Sequence, residues 1–245
     1  MMMKNRMKIV LVVLWLISSG LLPFFLGTGN EGHDPNGINI ADPNGPTNSP
    51  AHGTRYTLHA PIRIDSDSDF TATNGVVGGS GTESDPYIIE GWEINATGYG
   101  YGIYIGNTTE YFVIRNCSVY GADYISLLDR PGAGVELYNV KNGRIENVTA
   151  TQNEMCGFFL YGSESNTLSN INASFNEWDG ITLWASNNNK LSNMNASYNN
   201  LHGVELSFCS NIVMSNISMF NCSIMLNGDF NTYTTQDIVN CTVNG

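Results

Sequence analysis

Through the second half of the chain, apolar residues alternate in twos, break off, and resume at a fixed interval. Glycines stand at Gly134, Gly157, Gly180 and Gly203, 23 residues apart, and each opens a short stretch, GVEL, GFFL, GITL and GVEL. Eight residues after Leu137, Leu160, Leu183 and Leu206 comes a further apolar residue, Ile145, Leu168, Leu191 and Met214. Alternation with period two predicts strands, and repetition at a fixed interval predicts one small unit stacked on copies of itself. Helical repeats run longer and favour Ala, Leu, Glu and Lys, whereas these units are rich in Asn, Ser and Gly. The pattern therefore predicts an all-β parallel β-helix of about 23 residues per coil, each coil lying about 4.8 Å from the next.

Two positions beyond each of the later apolar residues stands an asparagine: Asn147, Asn170, Asn193 and Asn216, with outlying copies at Asn116 and Asn240. Residues one coil apart lie above one another, so these six are expected to form a column of stacked amides facing the interior at one corner. The pattern N-x-[ST] occurs nine times. On this register Asn116, Asn147, Asn216 and Asn240 are shielded from glycosylation, while Asn172 and Asn195 face outward as acceptors.

The N-terminus sets Lys4, Arg6 and Lys8 before an apolar run from Ile9 to about Gly27. Residues 1–27 read as an export signal or a retained membrane anchor, which places the remainder outside the cytoplasm, secreted or at the cell surface. Residues 28–59, with DPNG twice, read as a flexible linker. Residues 60–101 form an N-terminal cap and first strand, and 102–245 the coils. A net charge of −12 leaves no basic patch for phosphates, so nucleic acid is not an expected partner.

The segment APIRIDSDSDFTATNGVVGGSGTESDPYIIEGWEI, and above all GSGTESDPYIIEGW within it, resembles the opening of archaeal surface proteins with right-handed β-helix repeats, of the NosD-like (periplasmic copper-binding) β-helix family. The resemblance runs from about residue 60 to the end. It implies a right-handed coil and an exported location.

If Val135, Leu137, Phe158, Leu160, Ile181, Leu183, Val204 and Leu206 point inward, the residues between them point outward. One outward column is Tyr104, Glu136, Phe159, Thr182 and Glu205, and the next is Tyr138, Tyr161, Trp184 and Ser207. Aromatics beside carboxylates suit sugars, and Tyr104, Glu136, Tyr138, Phe159, Tyr161, Trp184 and Glu205 are the ligand-binding candidates. A solvent-facing sheet steadied by cross-strand contacts gives the same composition. Glu136 and Glu205 are three coils apart, roughly 14 Å, too far for a glycosidase pair. The catalytic candidates are Asp179 and His202, one coil apart at the turn before the glycine, together with Glu205.

No Lys or Arg is expected on the aromatic face, so a cationic lyase base is missing. Alternating acids Asp65, Asp67 and Asp69 could take calcium, and no other cofactor is called for. Copper would need clustered His, Met or Cys, and His33, His52, His59 and His202 are scattered. The five cysteines fall in registers that do not pair, so free thiols are expected. The leading expectation is a noncatalytic surface protein whose aromatic and acidic face binds glycans or a neighbouring surface protein. The rival is a polysaccharide-active enzyme, hydrolase or lyase, on the same face, and copper delivery follows only from the family resemblance.

Overall fold

The computed structural model describes residues 56–125 and 132–244. The leader, most of the linker and part of the insertion after Asp123 lie outside these residues. Every coil contributes strands to two parallel sheets wrapped around one apolar interior. The seven-stranded sheet stacks Ile62–Ile64, Tyr101–Thr108, Ala133–Val140, Phe158–Tyr161, Ile181–Trp184, His202–Ser207 and Ser223–Asn227. The larger sheet carries the other two faces of each coil, bent at the corners, as in Lys190–Asn195 and Val213–Phe220. About six turns make up this parallel β-solenoid.

The register is the one the repeat predicts. Val135, Phe158, Ile181 and Val204 are partners in successive strands, as are Ile145, Leu168, Leu191 and Met214. These side chains fill the interior with Ile, Leu, Val and Phe at essentially no exposure. Ile103 is paired with Val135 and Val204 with Ile224, so the coil is longer at the insertion and shorter near the end.

The column of six asparagines exists, but it faces the other way. Asn147, Asn170, Asn193, Asn216 and Asn240 are exposed, Asn116 is half-buried, and all six have φ between 50° and 55°. A left-handed residue turns the corner and shifts the in-out alternation by one position, so Ile145 and Val148 both point inward while Glu146 and Asn147 both point outward. Asparagine is the non-glycine residue that tolerates this conformation best. Its amides still join along the outer edge, Asn216 Nδ2 donating to Asn193 Oδ1 at 3.0 Å. The shielding expected for Asn116, Asn147, Asn216 and Asn240 is thus overturned. The proposed acceptors Asn172 and Asn195 are half-buried, and Asn172 Oδ1 is enclosed.

The buried amide ladders run through other residues. Asn153, Asn176 and Asn199 are wholly enclosed, with Nδ2 of one donating to Oδ1 of the next at 2.9 and 3.1 Å. The same oxygens accept the backbone N–H of the rung below, and Asn176 and Asn199 Nδ2 also donate to the carbonyls of Ala150 and Ala173. Asn166 and Asn189 make a second ladder, and Ser163, Ser186 and Cys209 a third. These columns satisfy the backbone groups that a tight turn leaves unpaired inside the coil.

The first ladder explains three of the repeating glycines, Gly134, Gly157 and Gly180, while a Cβ on Gly203 would run into Cγ of Met219. A Cβ on Gly180 would lie 2.7 Å from Asn199 Nδ2 and from the carbonyl oxygen of Gly203, and one on Gly134 2.8 Å from Asn153 Nδ2.

A short irregular segment ending at Pro86 leads into the strand that begins at Tyr87. Val76–Gly78 pairs antiparallel with Tyr87–Glu90, and Phe70 stacks on Tyr87 at 4.5 Å. Thr57–Leu58, within the segment assigned to the linker, pairs in parallel with Trp92 and Glu93. Covering a terminal coil in this way removes a free sheet edge.

Replacing Asn176 with Ala strands the Ala150 carbonyl and the Asn153 amide, and should cost roughly 2–4 kcal/mol. Asn170→Gly, at the exposed left-handed corner, should change stability by less than about 1 kcal/mol. Urea denaturation of the two variants checks the assignment, and equal losses would contradict it.

Candidate functional site

The outward columns of the seven-stranded sheet are in the expected register. Tyr104, Glu136, Phe159, Thr182 and Glu205 pair in series, and so do Tyr138, Tyr161, Trp184 and Ser207. Their exposure is uneven. Tyr104, Glu136 and Thr182 are buried, Phe159, Trp184 and Glu205 are half-buried, and Tyr138 and Tyr161 are 40% exposed.

The rings are not open platforms. Tyr138 and Tyr161 stack on each other with centroids 5.2 Å apart and planes 5° apart, so each hides a face that a sugar would need. Trp184 tilts against Phe208 at 6.1 Å. What this column mainly offers is ring edges and tyrosine hydroxyls. A second stack, Phe175, Tyr198 and Phe220, lies on another corner, with centroids 5.1 and 5.2 Å apart, and was not anticipated. Its members are 23 or 22 residues apart in the sequence, the same period that marks the other columns.

A cation does lie on this sheet, contrary to expectation. Arg63 pairs in register with Tyr104, its guanidinium 4.7 Å from that ring and 5.6 Å from Tyr101, and it is ion-paired to Asp65 at 2.6 Å. It stands four strands from Thr182, about 19 Å at the usual strand spacing.

Three sequence candidates converge. Asp179 ends the turn before Ile181–Trp184, while His202 and Glu205 sit on the strand above. One ligand-type atom from each lies within 4.8 Å of the other two, the group of three or more His, Cys, Asp or Glu residues that meets this condition among the described residues. Asp179 is 2% exposed and fully engaged. Its Oδ1 accepts from the His202 backbone N–H at 3.0 Å and meets Nδ1 of the imidazole at 2.9 Å, and Oδ2 accepts from Thr182 Oγ1 at 2.8 Å. Beneath them Cys156 Sγ touches Thr182 Oγ1 at 3.3 Å, and burial pushes that thiol far above its ordinary range. Ser207 Oγ donates to Glu205 Oε1 at 2.6 Å.

This geometry separates the roles open to the three residues. Asp179 lies too deep to meet a polysaccharide and holds the imidazole instead, with Nδ1 toward itself and Nε2 turned away. Loss of solvent, then the neighbouring Asp179, pushes the Glu205 carboxyl up to about 7. The hydrogen bond to Asp179 raises the His202 pKa against an opposing desolvation. A neutral carboxylic acid and an oriented imidazole side by side can give and take protons near neutral pH.

The sites expected for metals look different. Asp65 is bound to Arg63, Asp67 accepts from Thr108 Oγ1, and Asp69 accepts from the Asp65 amide and Ser66 Oγ, so these three carboxylates are directed to separate protein donors. The five cysteines are free, three of them buried.

With the coil and this face described, comparison with known proteins gives a clear placement. Residues 101–245 match the family described as the right handed beta helix region. The chain belongs to the right-handed β-helix family. No curated protein sequence matches it. Among solved structures, this β-helix is similar to the A-module of the mannuronan C-5 epimerase AlgE4 of Azotobacter vinelandii. That match has a TM-score of 0.51 and 15% identity, and covers 64% of this chain and 50% of that one. The periplasmic alginate epimerase AlgG matches with a TM-score of 0.39 and 17% identity over 64% of this chain and 42% of that one. The β-helix thus spans about half the length of these proteins or less, and at such identities the likeness shows the fold alone.

The elevated pKa values of Glu205 and His202 carry a stability consequence. Both folded values lie above the unfolded ones, so the associated stability is fully present in acid and is lost as pH rises through the folded values. For Glu205 that window runs from 4.5 to about 7. Across it, the denaturation midpoint of the wild type should fall relative to that of Glu205→Gln, which cannot titrate. A constant difference between the two would show that the carboxyl is not held neutral.

Proposed function

We propose that this face of the β-helix acts on a polysaccharide by acid–base chemistry, with Glu205 as proton donor and His202, held in place by Asp179, as the group that passes a proton back to it. The observation that carries the reading is the convergence of these three groups from two neighbouring coils on the outer side of the seven-stranded sheet, with Glu205 poised near neutrality. Phe159 and Trp184 flank Thr182 and Glu205 in the same sheet, and supply apolar surface beside the hydroxyl-binding groups. An exported location, given by the residues that precede the coils, suits a polymer substrate that does not enter the cell. Kinship with the NosD-like branch belongs to the same proposal and adds no chemistry of its own.

The noncatalytic alternative uses the same face to hold a glycan or a neighbouring surface protein. It is favoured by the exposed edges of Tyr138 and Tyr161, and disfavoured as a full account because their mutual stacking leaves little open ring surface. The two readings part at Asp179, which a binding face has no need to orient toward an imidazole.

Incubating the purified protein with a panel of plant, algal and microbial polysaccharides and measuring chain cleavage is the direct test. Glu205→Gln and Asp179→Asn should each lower turnover by about 10²–10⁴-fold, with the far-ultraviolet circular dichroism unchanged. Trp184→Ala should weaken retention of the polymer while leaving a measurable rate. Full activity in the two carboxylate variants would remove the proposal.

A further inference from the structure

The charge around the acid–base centre limits what can be bound there and which reaction can follow. The seven-stranded sheet carries Glu136, Asp179 and Glu205 on or beside its outer face, and Glu154 and Glu177 lie on the adjoining corner. Of the described Lys and Arg residues, Arg63 alone belongs to this sheet, and it is bound to Asp65 at the far end. Arg115, Lys141 and Arg144 are engaged by Glu90, Glu164 and Glu146 on the larger sheet or at its edge, and Lys190 also lies on that sheet.

We infer that the polymer acted on here is a neutral glycan and that its glycosidic bond is broken by hydrolysis. The inference rests on the acid–base reading of the centre and narrows it to one substrate class.

Two physical arguments support it. A polyuronate would bring one carboxylate per residue against a face that is already acidic, and like-charge juxtaposition across an interface acts against binding. Elimination and epimerisation of uronates also begin with loss of a proton next to a carboxylate, and the dianion that forms needs positive charge aimed at it. The side chains described around Glu205 are the Ser207 hydroxyl, which donates to Glu205 itself, the Thr182 hydroxyl, which donates to Asp179, and an imidazole, with no guanidinium or ammonium among them.

Hydrolysis makes no such demand. Glu205 gives its proton to the glycosidic oxygen as the bond from that oxygen to the anomeric carbon breaks. A water oxygen bonds to the anomeric carbon on the face away from Glu205 and gives its proton to solvent, because His202 stands beside Glu205 rather than across the bond from it. A proton then returns from solvent to Glu205 by way of His202, so the net reaction consumes one water and leaves two chain ends.

The full-length protein would be run in native gels containing a neutral β-glucan, galactan or mannan, or containing pectate or alginate, the last two with and without added calcium. In parallel, each polymer would be assayed for new reducing ends and for the ultraviolet absorbance of an unsaturated uronate product. The expected result is retention at least about ten-fold stronger in one of the neutral gels, with reducing ends and no unsaturated product, and loss of cleavage but not of retention in Glu205→Gln.

Stronger retention by pectate or alginate, or an unsaturated or epimerised product from either, with or without calcium, overturns the inference while leaving an acid–base centre in place. Retention by a neutral glycan with no cleavage by the wild type upholds the neutral class and removes both hydrolysis and the acid–base reading. Retention by none of the polymers overturns the inference together with the reading beneath it.

Discussion

Parallel pairing at fixed register is the constraint on which this molecule depends. Backbone hydrogen bonds hold each coil above the last, so a residue's closest long-range neighbour is set by counting one repeat along the chain. Every column follows from that, whether apolar, amide or aromatic. A polar residue placed inside must then find its partner in the same position of the next coil, and Asn153, Asn176 and Asn199 do so by passing a donor and an acceptor up the stack. An asparagine suits this because its amide offers both, as the hydroxyls of Ser163 and Ser186 also do and a carboxylate does not.

The same stacking rule that stabilises the coil shapes its outer surface. Rings placed one above another at strand spacing cover each other, so an aromatic column gains cross-strand contact and loses open faces, as Tyr138 and Tyr161 show. Charged groups respond differently. Asp179, His202 and Glu205 come from adjacent coils, and their contact lowers the cost of burial only because they share protons and hydrogen bonds. A site of this kind needs no loop or cleft of its own. It arises where the sequence departs from the repeat, placing Asp179 and His202 above Cys156, and Glu205 above Thr182.

The missed ladder was detectable in principle. Asn153, Asn176 and Asn199 each stand four residues before Gly157, Gly180 and Gly203, and their amides press against Gly134, Gly157 and Gly180 of the neighbouring coil, which have no room for a Cβ. A glycine recurring where no left-handed turn requires it is a sign of close approach, and the group approaching is the asparagine one coil on, 19 residues later in the chain. The outer series Asn147, Asn170, Asn193 and Asn216 has the same period, so the repeat by itself does not tell the two columns apart.

The sequence by itself determined the strand character, the length of the repeat, the stacking register and the identity of the interior Ile, Leu and Val positions, because a period and an alternation are properties of linear order. It also brought Asp179 and His202 into one register. Which way each corner residue points was decided only by the tertiary structure. A single residue at positive φ, as at Asn147, advances the alternation by one, and although the recurring asparagine suits that conformation, its identity alone does not distinguish it from an asparagine stacked inside the coil. Burial of Tyr104 and Glu136, the contact of Glu205 with Asp179 across neighbouring coils, and the mutual masking of stacked rings depend likewise on separations of a few ångströms between chain segments that the sequence lists far apart.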